Sequence, residues 1–262
     1  IFGNMGDIFG FGSRSGSSKN RRGGDLQIAI DISLAESFDG VTKKIKLSKN
    51  IKCQRCSGKG AEPDSKIVTC STCKGSGQVV KQQQTFFGVF QTASICEHCA
   101  GQGQSPEKPC KDCKGKGVIR GEQSLELNIP AGVANGDTLS MRGEGESGQL
   151  GSQPGDLYIQ VRVLPDKHFR REGNDLYTSA QIKYSQAVLG DKIKVAGLDG
   201  EHTIKIPSGT IHGAIFSVDG KGFKSLNSYG KGDLKVEIKI EIPKDLSREQ
   251  KKAVEALNEV DL

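Results

Sequence analysis

Apolar residues recur at every second position in several short runs of this chain. Leu26, Ile28, Ile30 and Ile32 alternate with Asp25, Gln27, Ala29 and Asp31, and the same period returns in Leu125 to Ile129, Leu157 to Val163 and Leu234 to Ile242. Successive side chains of an extended backbone point to opposite faces, so each run predicts a half-buried strand. Gly-Asp and Asn-Gly pairs between the runs predict tight turns. The period changes after Pro243: Ser247 and Gln250 have capping-box spacing, and Ala253, Val254, Leu257 and Val260 share one helical face. A helix of about fifteen residues is marginal alone, so this one must dock on its own domain or on a partner chain. The expected class is mainly β with a short C-terminal helix.

An internal repeat sets the domain plan. Ile129-Pro130-Ala131-Gly132 recurs as Ile206-Pro207-Ser208-Gly209, Arg142-Gly143-Glu144-Gly145 as Asp219-Gly220-Lys221-Gly222, and Gly155-Asp156-Leu157 as Gly232-Asp233-Leu234, all offset by 77. Upstream, Asp25-Leu26 resembles Asp175-Leu176, and Gly40 with Lys44 to Leu47 resembles Gly190 with Lys192 to Val195, now offset by 148 to 150. The first copy therefore holds some 70 extra residues. This predicts two tandem, similar β-sandwich or barrel-like domains, the first at 25–51 and 118–164 and the second at 165–243. A cysteine-rich module at 52–117 is inserted in the first, a Gly/Phe-rich linker occupies 1–24, and the helix occupies 244–262.

The insert holds all eight cysteines, in four copies of Cys-x-x-Cys-x-Gly-x-Gly. Each Cys-x-x-Cys turn aims two thiolates at one point, and the glycines permit the positive φ and close backbone approach such a knuckle needs. Two knuckles complete one tetrathiolate, so four predict two structural zinc ions with no open coordination position. A disulfide framework fits poorly, because a two-residue loop strains a bridge. Redox dithiols fit poorly too, because such a motif normally occurs singly at a helix start. The ends of an insert leave and re-enter one domain side by side, which favours Cys53, Cys56, Cys110 and Cys113 for zinc 1, and Cys70, Cys73, Cys96 and Cys99 for zinc 2. Sequential pairing of neighbouring knuckles stays open. His98 lies inside a knuckle, but the sulfur count is already complete, and it is expected to face solvent.

Composition narrows the function classes. Only 34% of the 262 residues are apolar and 5% aromatic, with 35 glycines and no tryptophan, which suits small β-domains rather than one large core. No run of 18 apolar residues exists, so no membrane partner is expected. The opening has no apolar signal core, and it starts at Ile1 inside low-complexity sequence, as a piece of a longer chain would. The formal charge of +6 concentrates between Lys52 and Gly117, where ten Lys/Arg face five acids. Two zinc tetrathiolates carry a net charge of about −4, which accounts for the lysines without nucleic acid. A zinc-dependent nucleic-acid-binding protein is the alternative, with Phe86, Phe87 and Phe90 as stacking residues. A thiol-disulfide oxidoreductase is a third class, and zinc on every thiol argues against it.

The Gly/Phe-rich opening (Ile8-Phe9-Gly10-Phe11-Gly12), the four cysteine repeats, the tandem β-domains and the capped helix together resemble a type I DnaJ co-chaperone of bacterial type. The family's J-domain carries His-Pro-Asp, whereas the four histidines here precede Cys99, Phe169, Thr203 and Gly213. The resemblance thus implies a non-enzymatic, cytoplasmic module lacking the J-domain and its stimulation of the DnaK ATPase. It implies capture of unfolded polypeptide by strand addition, with an apolar client side chain entering a pocket at Leu26, Ile45, Leu47, Leu139 and Phe169. Delivery of clients to a DnaK-type chaperone is implied as well. So is a homodimer through Val254, Leu257 and Val260 of the terminal helix. From the residues alone, Ile45 and Leu47 read equally as core, Leu26 reads more as core than as pocket, and Phe169 reads equally as a plug at the domain junction.

Overall fold

A computed structural model describes residues 22–85, 88–99, 101–226 and 229–259. Its strands are β1 (Leu26–Ile32), β2 (Val41–Lys52), β3 (Ile67–Thr69), β4 (Gln78–Thr85), β5 (Gly88–Ile95), β6 (Gln104–Pro106), β7 (Val118–Ile129), β8 (Thr138–Met141), β9 (Leu157–Val163), β10 (Arg170–Glu172), β11 (Asp175–Lys183), β12 (Asp191–Gly197), β13 (Gly200–Ile206), β14 (Ile215–Val218) and β15 (Leu234–Glu241). Among the described residues, the α-helices are α1 (Leu34–Asp39) and α2 (Tyr184–Leu189) between strands and α3 (Arg248–Glu259) after β15. The chain is mainly β, and among the described residues every sheet is open. The sheet orders are β1-β9-β8 and β10-β11-β15-β14, beside the two-stranded ribbons β2-β7, β12-β13, β3-β6 and β4-β5.

The alternation seen in the sequence is the burial pattern of these strands. Leu157, Ile159 and Val161 of β9 are buried while the residues between them face water, and in β15 Leu234, Val236 and Ile238 are buried with half-buried Lys235 and Glu237 between them. β15 lies parallel to β11, with Leu176 opposite Leu234 and Ile182 opposite Ile240. The cysteine-rich segment leaves β2 at Lys52 and re-enters at Val118, the first residue of β7, the strand that pairs with β2.

Two short helices are not visible in the alternation. Ser33 caps α1 by accepting from Glu36 N at 3.1 Å, while the Glu36 carboxylate accepts from Ser33 N at 2.8 Å. In α2 the Gln186 side chain likewise accepts from Lys183 N at 2.9 Å. Each helix is six residues long and ends on a glycine of positive φ, Gly40 at 79° and Gly190 at 80°. A Cβ on either glycine would crowd the Ile-Pro turn of its own repeat, at Ile129 O or at Ile206 O. The offset of 150 residues therefore reproduces a helix and its stop, and the offset of 77 reproduces the turn each packs on.

The chain divides by its contacts into two compact units that interleave in sequence. Among the described residues, one comprises those of 22–28, 44–125 and 138–159; the other comprises those of 29–43, 126–137 and 160–259. In the second unit, Leu34 and Phe38 of α1 share a core cluster with Leu176, Ile206, Phe223 and Leu234. Phe38 meets Phe223 edge-on, with ring centroids 5.4 Å apart.

The two repeat-related turns differ in what surrounds them. Gly132, at φ 91°, sits so close to the Lys224 backbone that a Cβ would collide with its carbonyl, whereas a Cβ on Gly209, at φ 74°, would meet nothing. Gly209→Ala should cost about 1 kcal/mol from left-handed strain alone. Gly132→Ala should cost about 3 kcal/mol, because packing strain adds to it. Urea unfolding of the two variants checks the difference.

Candidate metal centres

Each knuckle is built by its glycines. The second cysteine of every copy accepts a hydrogen bond from the N–H of the second glycine: Cys56 from Gly60, Cys73 from Gly77 and Cys99 from Gly103 at 3.3 Å, and Cys113 from Gly117 at 3.2 Å. That bond needs a left-handed turn, so the residues just after Cys56, Cys73 and Cys113 also take positive φ, at 50° for Ser57, 50° for Lys74 and 52° for Lys114.

The knuckles then pair reciprocally. Cys53 N donates to Gly117 O and Cys110 N to Gly60 O, while Cys70 N donates to Gly103 O and Cys96 N to Gly77 O. A Cβ on Gly60 would run into the Gly115 carbonyl, and one on Gly117 into that of Gly58; Gly77 faces Gly101, and Gly103 faces Gly75, in the same way. Only glycine lets two turns approach this closely. The result brings together Cys53, Cys56, Cys110 and Cys113 in one group and Cys70, Cys73, Cys96 and Cys99 in another, each with sulfurs mutually within 4.8 Å and every cysteine buried. The arrangement is nested, and neighbouring knuckles are not paired.

The donor set fits a tetrahedral metal. Across the paired knuckles, Cys53 and Cys110 sulfurs are 3.9 Å apart, Cys56 and Cys113 3.7 Å, Cys70 and Cys96 3.9 Å, and Cys73 and Cys99 3.6 Å. A zinc tetrathiolate with bonds of about 2.3 Å has sulfur–sulfur edges of about 3.8 Å, whereas a disulfide needs about 2.05 Å. The thiols are electrostatically unequal. Burial pushes the Cys113 thiol up to about 12, while a hydrogen bond from the Cys73 backbone, with help from His98, holds Cys70 at about 6. Four buried sulfurs ionise together only around a cation, and thiolates select a soft one such as Zn²⁺. His98 is exposed, as expected, yet its Nδ1 lies 3.5 Å from Cys70 Sγ, close enough to orient that ligand.

Two further groups of residues support the first site. Arg55 holds Glu62 through Nε at 3.0 Å and Nη2 at 2.8 Å, and Glu62 also accepts from Lys111 N at 2.7 Å, so knuckles one and four are tied outside the sulfurs. Those same partners, the Lys111 amide first, hold the Glu62 carboxyl below its ordinary range. From the short turn at Gln149–Gly151, Leu150 N donates to Lys116 O at 3.2 Å, and Leu150 O accepts from Gln102 at 3.2 Å. The cysteine motif carries no signal for either.

With this geometry in view, the relatives are informative. The family model described as "DnaJ C terminal domain" matches residues 26–243. The chain belongs to this family. It is 44% identical over 258 residues to the chaperone protein DnaJ of Clostridium beijerinckii, covering 96% of this chain and 68% of that protein. It is 44% identical over 237 residues to the chaperone protein DnaJ of Fusobacterium nucleatum subsp. polymorphum (90% and 60%). It is 45% identical over 251 residues to that of Psychrobacter arcticus (96% and 66%). The chain thus spans about two thirds of the length of these DnaJ relatives, which are named as chaperones rather than enzymes.

The residues expected by resemblance to DnaJ for client capture fall on separate elements. Leu26 of β1, Ile45 and Leu47 of β2 and Leu139 of β8 are half-buried and belong to the first compact unit. Phe169 is half-buried in the second unit, where it packs against the core cluster and lines a cavity of about 530 Å³ with Leu34, Ala134 and Val163. On the terminal helix, Val254 is exposed and Leu257 half-buried; Val260 lies outside the described residues. So do the Gly/Phe-rich opening, Phe86 and Phe87, and the side chain of Phe90.

Metal analysis of the protein purified without chelator should give two zinc ions per chain. Cys53→Ser should release the zinc of the first group and Cys96→Ser that of the second, leaving one each. Loss of both in either variant, or release from Cys70 when Cys53 is changed, contradicts the nested sites.

Proposed function

We propose that this chain is the client-binding, zinc-carrying part of a DnaJ co-chaperone. It holds unfolded polypeptides through their apolar segments, limits their aggregation and passes them to a DnaK-type chaperone. No chemistry is catalysed, and the setting is the cytoplasm. The family match over residues 26–243 carries this reading. The chain's own sequence contains no His-Pro-Asp, so ATPase stimulation is not assigned to it.

The mechanism follows from one strand. β2 is hydrogen-bonded only to β7 among the described strands, which leaves its other edge for an added strand. Main-chain bonds along such an edge tolerate many client sequences, and alternate side chains provide the selection. Ile45 and Leu47 present half-buried apolar surface two residues apart, while Lys44, Lys46 and Ser48 between and beside them face water. Lysines on an exposed edge also discourage pairing with another folded copy. We assign client capture to Leu26, Ile45, Leu47, Leu139 and Phe169 in the first repeat (25–51, 118–164) and at the start of the second (165–243). Two Zn²⁺, held by the two cysteine groups, would supply rigidity to the insert (52–117).

The terminal helix has the character of a dimerisation element. Its capping box is formed, with Gln250 N donating to Ser247 Oγ at 3.2 Å and Ser247 N to Gln250 Oε1 at 2.8 Å. Yet Val254 is 52% exposed, and Ile242, just after β15, is 81% exposed. A short helix with an uncovered apolar face is stabilised by a second copy, and two client sites on one extended polypeptide gain effective concentration.

Two experiments test these assignments. Ile45→Ser or Leu47→Ser should weaken binding of short apolar peptides about tenfold with zinc content unchanged; parallel loss of thermal stability and binding would make both residues core. Ending the chain at Pro243 should give a folded, zinc-loaded monomer by light scattering, with weakened holding of long clients and near-normal binding of short peptides. A truncated chain that remains dimeric rejects the helix assignment.

A further inference from the structure

Arg171 sits where three segments of the second compact unit converge. Its Nη1 donates to Val133 O at 2.6 Å and to Ser37 Oγ at 3.2 Å, Nη2 to Gly132 O at 2.9 Å and Nε to Gly173 O at 2.8 Å. The guanidinium carbon lies 4.2 Å from the centre of the Phe223 ring, whose edge contact with Phe38 completes the group. The acceptors are themselves cross-linked: Ser37 Oγ donates to Val133 O at 2.6 Å, and Gly132 N to Ser37 O at 2.7 Å. Close approach of Gly132 to the Lys224 backbone brings the same turn onto the segment that carries Phe223. Ser37, Gly132 and Val133 belong to the first sequence repeat; Arg171, Gly173 and Phe223 belong to the second.

We infer that Arg171 is a positioning residue: it ties α1 and the 130–133 turn of the first repeat to β10 and the Phe223 segment of the second. In doing so it holds Phe169, two residues earlier, at the wall of the cavity lined by Leu34, Ala134 and Val163. Residues two apart in extended chain share a face, so a side chain anchored at 171 fixes where 169 points. The Phe169 backbone is pinned from the other direction, its N–H donating to Asp166 Oδ1 at 3.1 Å. Arginine suits the role because its planar fork serves several carbonyls while its face stacks on a ring, which a lysine ammonium cannot do. Gly209, which repeats Gly132, has open space where Gly132 meets Lys224, so the tie belongs to the junction of the repeats.

The consequence for clients rests on the proposed role of Phe169; the tie itself does not. Two measurements on the full chain separate them. In hydrogen exchange, Arg171→Lys should speed exchange of the Gly132 and Phe223 amides about tenfold while Cys53 and Cys110 amides stay protected; no change, or a uniform rise across both units, overturns the tie. For a fluorescein-labelled heptapeptide with one central leucine, Arg171→Lys and Phe169→Ser should each weaken binding about tenfold, and the double variant no more than Phe169→Ser alone. Additive losses, or an Arg171→Lys affinity within twofold of the parent, overturn the positioning role. If the parent chain binds no peptide, the client reading fails and exchange alone decides the tie. If Arg171→Lys does not fold, Ser37→Ala, which removes one acceptor, should give about a threefold rise at the same amides, and an unchanged rate overturns the tie.

Discussion

Four buried sulfurs meet at one point here because two backbone turns come within contact of each other's carbonyls. In this chain the second glycine of each Cys-x-x-Cys-x-Gly-x-Gly copy faces a carbonyl of the partner knuckle with no room for a Cβ. The reciprocal N–H to carbonyl bonds between partner knuckles form across the same approach. The insert's architecture follows from that constraint. Joining the first knuckle to the fourth folds the segment back on itself, β3 and β6 pair between the two cysteine groups, and the β4-β5 hairpin extends beyond the second. Among the described residues, the apolar side chains packed on the cysteine groups are Ile119 of β7 beside one and Val79 beside the other.

The β-domains rely on a different economy, in which a repeated set of parts is closed by contacts that are not repeated. Both copies contain the short helix, its glycine stop and the Ile-Pro turn. In the first copy, helix and turn are engaged by a guanidinium and a phenyl ring from further along the chain. Burying a cation costs solvation, and burial does pull the Arg171 pKa below its ordinary value. Backbone carbonyls offset that cost here.

Much of this was legible in the residues. The spacing of the cysteines and glycines, the offset of 77 between the repeats and the period of two in Leu157 to Val163 each reflect short-range geometry, so sequence determined the β class, the insert and the sulfur count. The Ser247 and Gln250 pair marked the helix start for the same reason, since a capping box is complete within four residues. Tertiary structure alone decided what depends on residues far apart. It chose nested over sequential pairing, put His98 beside Cys70, and used α1, too short to carry a period, to place Ser37 and Phe38. It also joined Arg171 to Gly132, Val133 and Phe223. A guanidinium flanked by Arg170 and Glu172 looks like any solvated charge until the fold supplies acceptors from 39 and 38 positions away. Local pattern encodes which element forms, whereas the partner of a buried polar group is set by which distant carbonyls the fold leaves unpaired.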